Sequence, residues 1–351
     1  MSDDIVTAPR SATRAHRPVA AMDVARAARV SQETVSRVVN GDPHVGDDVR
    51  RRVRLAIVML GYRPNRAARS PVLGPSRTIG VLSVGSFDFG PSSLLVAAEH
   101  AIHGARYDMA VINTFVGGAE TIRRSFGDLV DQGVDAIVLN DPAGLGALAL
   151  GALGDLPVLS MSGSYGISSN EIVVDADQYS GGRVATAHLL ALGHRTVHHL
   201  GGPSGWRSTG LRQQGWSDVL SEAGAEVPGP LHGDWSAQSG YDLGAQLATD
   251  LSVTAVFVAN DQMAVGLLRA FGEAGRRVPQ DVSVVGVDDM PESSFLTTAL
   301  TTVRQDLAHV ASLGVGLLID AIENPRRQHR HENVPVELIV RETTSAPPPG
   351  R

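Results

Sequence analysis

The chain is 351 residues long and carries a formal net charge of −7, with no cysteine and with arginine as every one of its 30 basic residues. That length allows a substantial core and more than one domain. Without cysteine there are no disulfides, thiolate nucleophiles or cysteine metal sites, and without lysine there is neither a Schiff-base lysine nor a Walker-type phosphate loop.

Residues 1–17 are polar and short of large apolar groups, which predicts a disordered tail. The stretch MSDDIVTAPR lacks the charged-then-apolar layout of a secretory signal. No apolar run approaches the roughly 20 residues of a membrane helix, so a cytoplasmic protein is expected. Residues 18–63 read as a small helical head. A first helix would carry Val24, Ala25 and Ala28 on one face, with a three-residue turn at 28–30. Ser31 then stands where an N-cap belongs, its hydroxyl placed to accept from a free backbone N–H of the next helix. Val35, Val38 and Val39 form one buried stripe, and Gln32, Glu33, Ser36, Arg37 and Asn40 point away from it. Two short helices with a tight turn, the second with a polar, Arg-bearing outer face, describe a helix-turn-helix. A third helix is predicted from Asp47 to Leu60, burying Val49, Val53, Ala56, Ile57 and Leu60.

Residues 64–76, with Pro64, Pro71 and Pro75, form a linker. Up to residue 75 the chain holds 13 Arg against 7 acids, and beyond it 17 Arg against 30 acids. A basic N-terminal module on an acidic protein suits local contact with nucleic acid. From residue 77 short apolar strands alternate with helical stretches, at 78–84, 109–113, 135–140, 157–161, 172–175, 196–201, 255–260 and 283–287. Such alternation implies parallel sheets with helices on both faces. No internal repeat is evident.

VSQETVSRVVNGDPHV, an Arg-rich helix ending in LGYRPNRAARS, and RTIGVL together resemble the lactose-repressor (LacI/GalR) family of transcriptional regulators. Further blocks follow in the family's order: LALGHR (190–195), GDWSAQSG (233–240), VANDQMAVG (258–266), DVSVVGVDD (281–289) and LTTVRQD (300–306). Several lie closest to the family's namesake. The resemblance implies an α/β fold: a helix-turn-helix head, a hinge at 64–76, and a two-lobed core (77–345) like a periplasmic sugar-binding protein. One lobe would take about 77–176 and 307–334, the other about 177–303 and 335–345, leaving a Pro-rich tail at 346–351. It implies a homodimer on a near-palindromic double-stranded operator, with the second helix in the major groove. Gln32 and Glu33 would then select bases, since Gln pairs with adenine and Glu accepts from cytosine, and Arg37 would meet guanine. Ser31, Thr34, Ser36, Asn40 and His44 would hold phosphates. In the hinge, Asn65, Ala68 and Pro71 would meet the minor groove.

The chain departs from the family in places. The turn usually has Gly where Arg29 stands, and the first helix usually has a hydroxyl cap where Ala20 stands. Pro71 replaces the Leu that wedges into the minor groove, so either the hinge helix is shorter or Val72 or Leu73 takes over. The namesake ends in a Leu heptad tail that joins two dimers. Here ETTSAPPPGR forbids such a helix, and a dimer without tetramer is expected.

The resemblance also implies a small effector, a carbohydrate, bound by Asn140, Ser162, Arg212, Trp235, Asn260, Asp288 and Gln305. Arg, Asp and Asn supply the paired donors and acceptors that vicinal hydroxyls need, and Trp235 offers a flat face for a sugar ring. The namesake usually has an aspartate where Ser162 stands and an Arg where Gly210 stands, so a galactoside and a different carbohydrate both stay open. Other chemistry is weak. Gly144-x-Gly146-x-x-Ala149 is a lone pattern of small residues. His198, His199, His329 and His331 lack a third ligand and read as strand and loop surface. No Ser is framed as G-x-S-x-G and no H-E-x-x-H occurs. The expectation is a repressor with no enzymatic activity, no cofactor and no bound metal. The rival reading is a cytoplasmic sugar sensor without DNA-binding function.

Overall fold

The structure is a computed structural model that describes residues 21–39, 42, 44–60, 76–84, 88–114, 119–141, 156–163, 171–324 and 331–349. The N-terminal tail, the hinge to residue 75, and the Gly144 pattern lie outside these residues. The chain divides into two units, Met1–Ala68 and Arg69–Arg351.

In the first unit, helices α1 (Ala21–Ala28), α2 (Gln32–Val39) and α3 (Asp47–Leu60) enclose a core of Val24, Ala25, Ala28, Val35, Val38, Val53 and Ala56. The turn after α1 is a Schellman closure: Val30 N–H donates to Ala25 O at 3.0 Å and Arg29 N–H to Arg26 O at 3.3 Å. Arg29 occupies the left-handed position of that motif, at φ 54°. A side chain there costs about 1 kcal/mol relative to glycine. Ser31 caps α2, its Oγ accepting from Thr34 N–H at 3.1 Å. At the far end of α3 the expectation for Leu60 fails: it is exposed, as are Val58 and Met59, because the last turn runs past the two shorter helices that bury Val53 and Ala56.

The second unit contains two six-stranded sheets. The first is built from β1 (Thr78–Val84), β2 (Asp108–Thr114), β3 (Ala136–Asn140), β4 (Val158–Ser160), β5 (Glu171–Ala176) and β11 (His331–Val334), in the order β11-β5-β4-β3-β1-β2, all parallel. Helices α4 (Phe89–Gly104), α5 (Ala119–Gln132) and α10 (Leu307–Glu323) belong with it. The apolar side chains Leu94, Ala98 and Ile102 of α4 and Val310, Val315 and Leu318 of α10 share one core with Ile79, Val81 and Val174. The second sheet holds β6 (His198–Gly201), β7 (Leu231–His232), β8 (Ala255–Val258), β9 (Ser283–Asp288), β10 (Thr301–Gln305) and β12 (Val336–Ile339), in the order β12-β10-β9-β8-β6-β7. Only the β10–β12 pairing is antiparallel there. Helices α6 (Gln178–Ala191), α7 (Arg207–Glu222), α8 (Ala237–Ala248) and α9 (Asp261–Glu273) accompany it. Helices α8 and α9 touch so closely that a Cβ at Gly266 would sit on the carbonyl oxygen of Ala237, and one at Gly240 on that of Met263.

Both sheets repeat one doubly wound strand order, and the chain passes between them three times, at 176–178, 305–307 and 334–336. Ligands of such sheets gather at the carboxyl ends of the strands. Beyond the eight strands read from the apolar pattern the structure adds β7, β10, β11 and β12, the last of them the closing strand that the resemblance implied for the second lobe. It also corrects the surface reading of His199. That residue is fully buried, stacked on Phe257 at 4.8 Å, and burial pushes its imidazole down to about 3. A sheet covered on both faces has no wet side for it. Among the described residues no helix is long and apolar enough to cross a membrane.

Candidate functional site

The outer face of α2 presents Gln32, Glu33, Ser36 and Arg37, all exposed, with Thr34 half-buried beside the capping Ser31. Arg37 is engaged: its Nε donates to Asp42 Oδ2 at 2.8 Å, and Asp42 also accepts from His44 N–H at 2.9 Å and pairs with His44 Nδ1 at 3.0 Å. The Arg37 bond, followed by those of His44, holds the Asp42 carboxyl well below the usual carboxylate range. Arg50 braces the same loop by donating to the carbonyls of Asp42 and Val45, at 2.9 and 3.1 Å. Asn40, Asn65, Ala68 and Pro71 lie outside the described residues.

In the second unit a cleft of about 680 Å³ opens at the strand ends between the two sheets. Ser162, Arg212, Trp235, Asn260, Asp288 and Gln305 all line it, together with Asp88, Phe89, Asp175, Gln178 and Trp206. Asn140 does not. It is fully buried behind the cleft, where its Nδ2 donates to Pro91 O at 2.9 Å, because the strand end that carries it is covered by the start of α4. Asn260 lines the cleft but is committed to structure. Its Oδ1 caps α9 by accepting from Met263 N–H at 3.0 Å, and its Nδ2 donates to Trp235 O at 3.0 Å. That second bond helps hold Trp235, which sits at φ 75°. The Trp235 ring lies 5.5 Å from Trp206 and 5.8 Å from the Arg212 guanidinium, so its face is shared with a cation as well as the cleft.

The polar floor is a relay with a fixed polarity. Arg212 has only donors, and its Nε donates to Gln178 Oε1 at 2.8 Å. Gln178 must therefore turn its Nε2 to Gln305 Oε1, at 2.8 Å, and Gln305 in turn donates to Asp288 Oδ1 at 2.7 Å. Arg212 Nη1 donates to Ala259 O. Gln178 follows the first crossing and Gln305 precedes the second, so the relay joins two of the three passages between the sheets. Burial pushes the Asp288 carboxyl up to about 7, with Arg212 opposing and the buried Asp261 adding to it. Burial likewise lifts Asp175 and Asp261 to about 6. Asp288 and Asp289 hold consecutive positive φ values of 119° and 54°. That backbone is pinned by Arg304 and Arg341 on Asp289, at 2.7 and 2.5 Å, and strain of this kind collects where a fold serves a site.

Asp175 and Gln178 were not anticipated. A carboxylate inside the wholly buried strand Glu171–Ala176 was the available signal, because such a group is retained only where something compensates it. Among the described residues no cluster of His, Asp or Glu could hold a metal ion.

Residues 22–65 match the family described as bacterial regulatory proteins, lacI family, and residues 186–344 match a periplasmic binding protein-like domain. The lactose operon repressor of Escherichia coli K12 is 34% identical over 334 residues, covering 94% of this chain and 92% of that protein. The ribose operon repressor of the same organism is 31% identical over 327 residues, covering 91% and 98%. A lac repressor dimer bound to operator and the anti-inducer ONPF superposes with a TM-score of 0.73 at 34% identity, covering 94% of this chain and all of that one. The transcriptional regulator CelR in complex with cellobiose superposes with a TM-score of 0.69 at 29% identity, covering 93% and all of it.

Proposed function

This chain belongs to the lacI family of bacterial regulatory proteins and is a DNA-binding repressor controlled by an effector, and we propose that its effector is a carbohydrate held in the cleft between the two sheets. The observation that carries this reading is the relay Arg212–Gln178–Gln305–Asp288, which places donors and an acceptor on the cleft floor and runs through two of the crossings. A sugar that bridges Arg212 and Asp288 of the second sheet's lobe to Ser162 of the first would favour one arrangement of the lobes over the other, and only such differential binding can shift the equilibrium that DNA also biases. A relative bound to cellobiose supports a saccharide-sized ligand.

In the head, Gln32, Glu33 and Arg37 are the base-reading residues of this reading, with Ser31, Thr34, Ser36 and His44 on phosphates. Arg37 would exchange Asp42 for guanine. The exchange is feasible because an exposed pair contributes little. The protein works as a cytoplasmic homodimer, two heads on one near-palindromic operator. The test is enrichment of random duplexes on the full-length chain. A motif with two-fold symmetry is expected, and no enrichment over input would reject the reading.

A further inference from the structure

We propose that the cleft accepts a ring rich in hydrogen-bond donors and free of negative charge, a neutral or amino sugar rather than a sugar phosphate or uronic acid, and that Asp175 is the ligand-contacting residue that enforces this choice. Such selectivity rests on the effector reading above and narrows it. Among the described residues the buried carboxylates that line the cleft are those of Asp175 and Asp288, against one buried lining cation, Arg212. Arg212 is already balanced: it is buried, two of its nitrogens donate to Gln178 and Ala259 O, and the charges of Asp288, Asp175 and Asp261 all act on it. Arg207 also acts on Asp175, but it is exposed and lies across Gly163 at the cleft's edge. An entering phosphate would therefore meet a surplus of negative charge at low dielectric, where like charges repel strongly.

Asp175 is in the opposite condition. It projects from β5 and is 9% exposed. Among the described residues it receives only a long bond from Gln178 Nε2, at 3.4 Å, and the backbone amide of Ala176. Ser162, just past the end of the paired strand β4, lines the same cleft. A buried carboxylate with so few donors is stabilised by hydroxyls or an ammonium brought by a ligand. Burial lifts its carboxyl to about 6, which leaves it ionised at neutral pH.

The test is equilibrium dialysis of the full-length protein at pH 7.5 against an equimolar pool. The pool holds glucose, galactose, ribose, cellobiose, glucosamine, galactosamine, glucose 6-phosphate, ribose 5-phosphate, glucuronate and galacturonate. The expected result is retention from the neutral or amino members alone, weakened at least tenfold in Asp175→Asn, with Asp175→Ser as the second variant should the first melt early. Retention of a phosphate or uronate overturns the inference while leaving the effector reading intact. Retention of nothing overturns both, and unchanged affinity in the folded variants removes Asp175 from the ligand.

Discussion

Replacing Asp288 by Asn removes a titrating group and keeps its shape. The carboxyl sits near 7 in the fold against an ordinary value of 3.8, because burial outweighs the pull of Arg212. A group whose pKa is raised on folding binds its proton more tightly in the native state, so its contribution to stability is fully present below about pH 4. That contribution is lost as pH rises through 7. A rise of this size corresponds to about 4 kcal/mol, of which roughly 2–3 kcal/mol falls between pH 5 and pH 8. His188, His194, His198 and His199 act in the other direction, held low by burial and destabilising the fold as pH falls through 6.5. They are common to both proteins and cancel in the difference. Urea unfolding followed through Trp216, Trp206 and Trp235, all in the second lobe, should show Asp288→Asn gaining about 2 kcal/mol on the parent between pH 5 and pH 8. The same variant should lose effector affinity at least tenfold. With Gln305 donating to the new amide oxygen, the amide nitrogen would turn a donor into the cleft where an acceptor stood. Parallel pH curves for the two proteins would refute the assignment of a proton-holding Asp288.

Arg37→Ala should abolish discrimination between the selected motif and scrambled DNA in a fluorescence anisotropy titration, leaving effector affinity within a few-fold. Preserved discrimination would take Arg37 out of the base-reading set. Arg29→Gly relieves a side chain at φ 54° and should stabilise the head by up to about 1 kcal/mol, read as slower hydrogen exchange at Val35 and Val38. Gly266→Ala places a methyl group on the Ala237 carbonyl and should cost about 3 kcal/mol or more in the second lobe, and an unchanged melting curve would contradict the close approach of α8 and α9.

The head was legible almost to the residue because its signals are local. Ser31 caps, the three valines of α2 share a stripe, and α3 runs from Asp47 to Leu60 as the apolar spacing predicts. The central strands were legible as runs of Val, Ile and Leu. The missed strands owe their existence to partners rather than to their own composition. Thr301–Gln305 reads as polar, yet it is held between β9 and β12, with Thr301 and Thr302 fully buried and hydrogen-bonded. His331–Val334 is an edge strand, where charge is tolerated and hydrophobic pattern is weak. The same reason hid Asp175. In a strand buried on both faces there is no alternation to say which side chain turns toward a cleft, and the facing is fixed only when β4 and β5 pair. Asn140 was misplaced for the converse reason. A strand end is the right neighbourhood for a ligand, but α4 covers this one.

The most direct test of effector control is the affinity of the full-length chain for its selected duplex, measured by anisotropy across a titration of the sugar retained in dialysis. Coupling between the two sites predicts a saturable change in DNA affinity of roughly 5- to 150-fold, matched by an equal change in sugar affinity when DNA is saturating. In Asp288→Asn the titration should shift to higher sugar concentration in step with its weakened binding. A sugar that occupies the cleft while DNA affinity stays constant would contradict effector control.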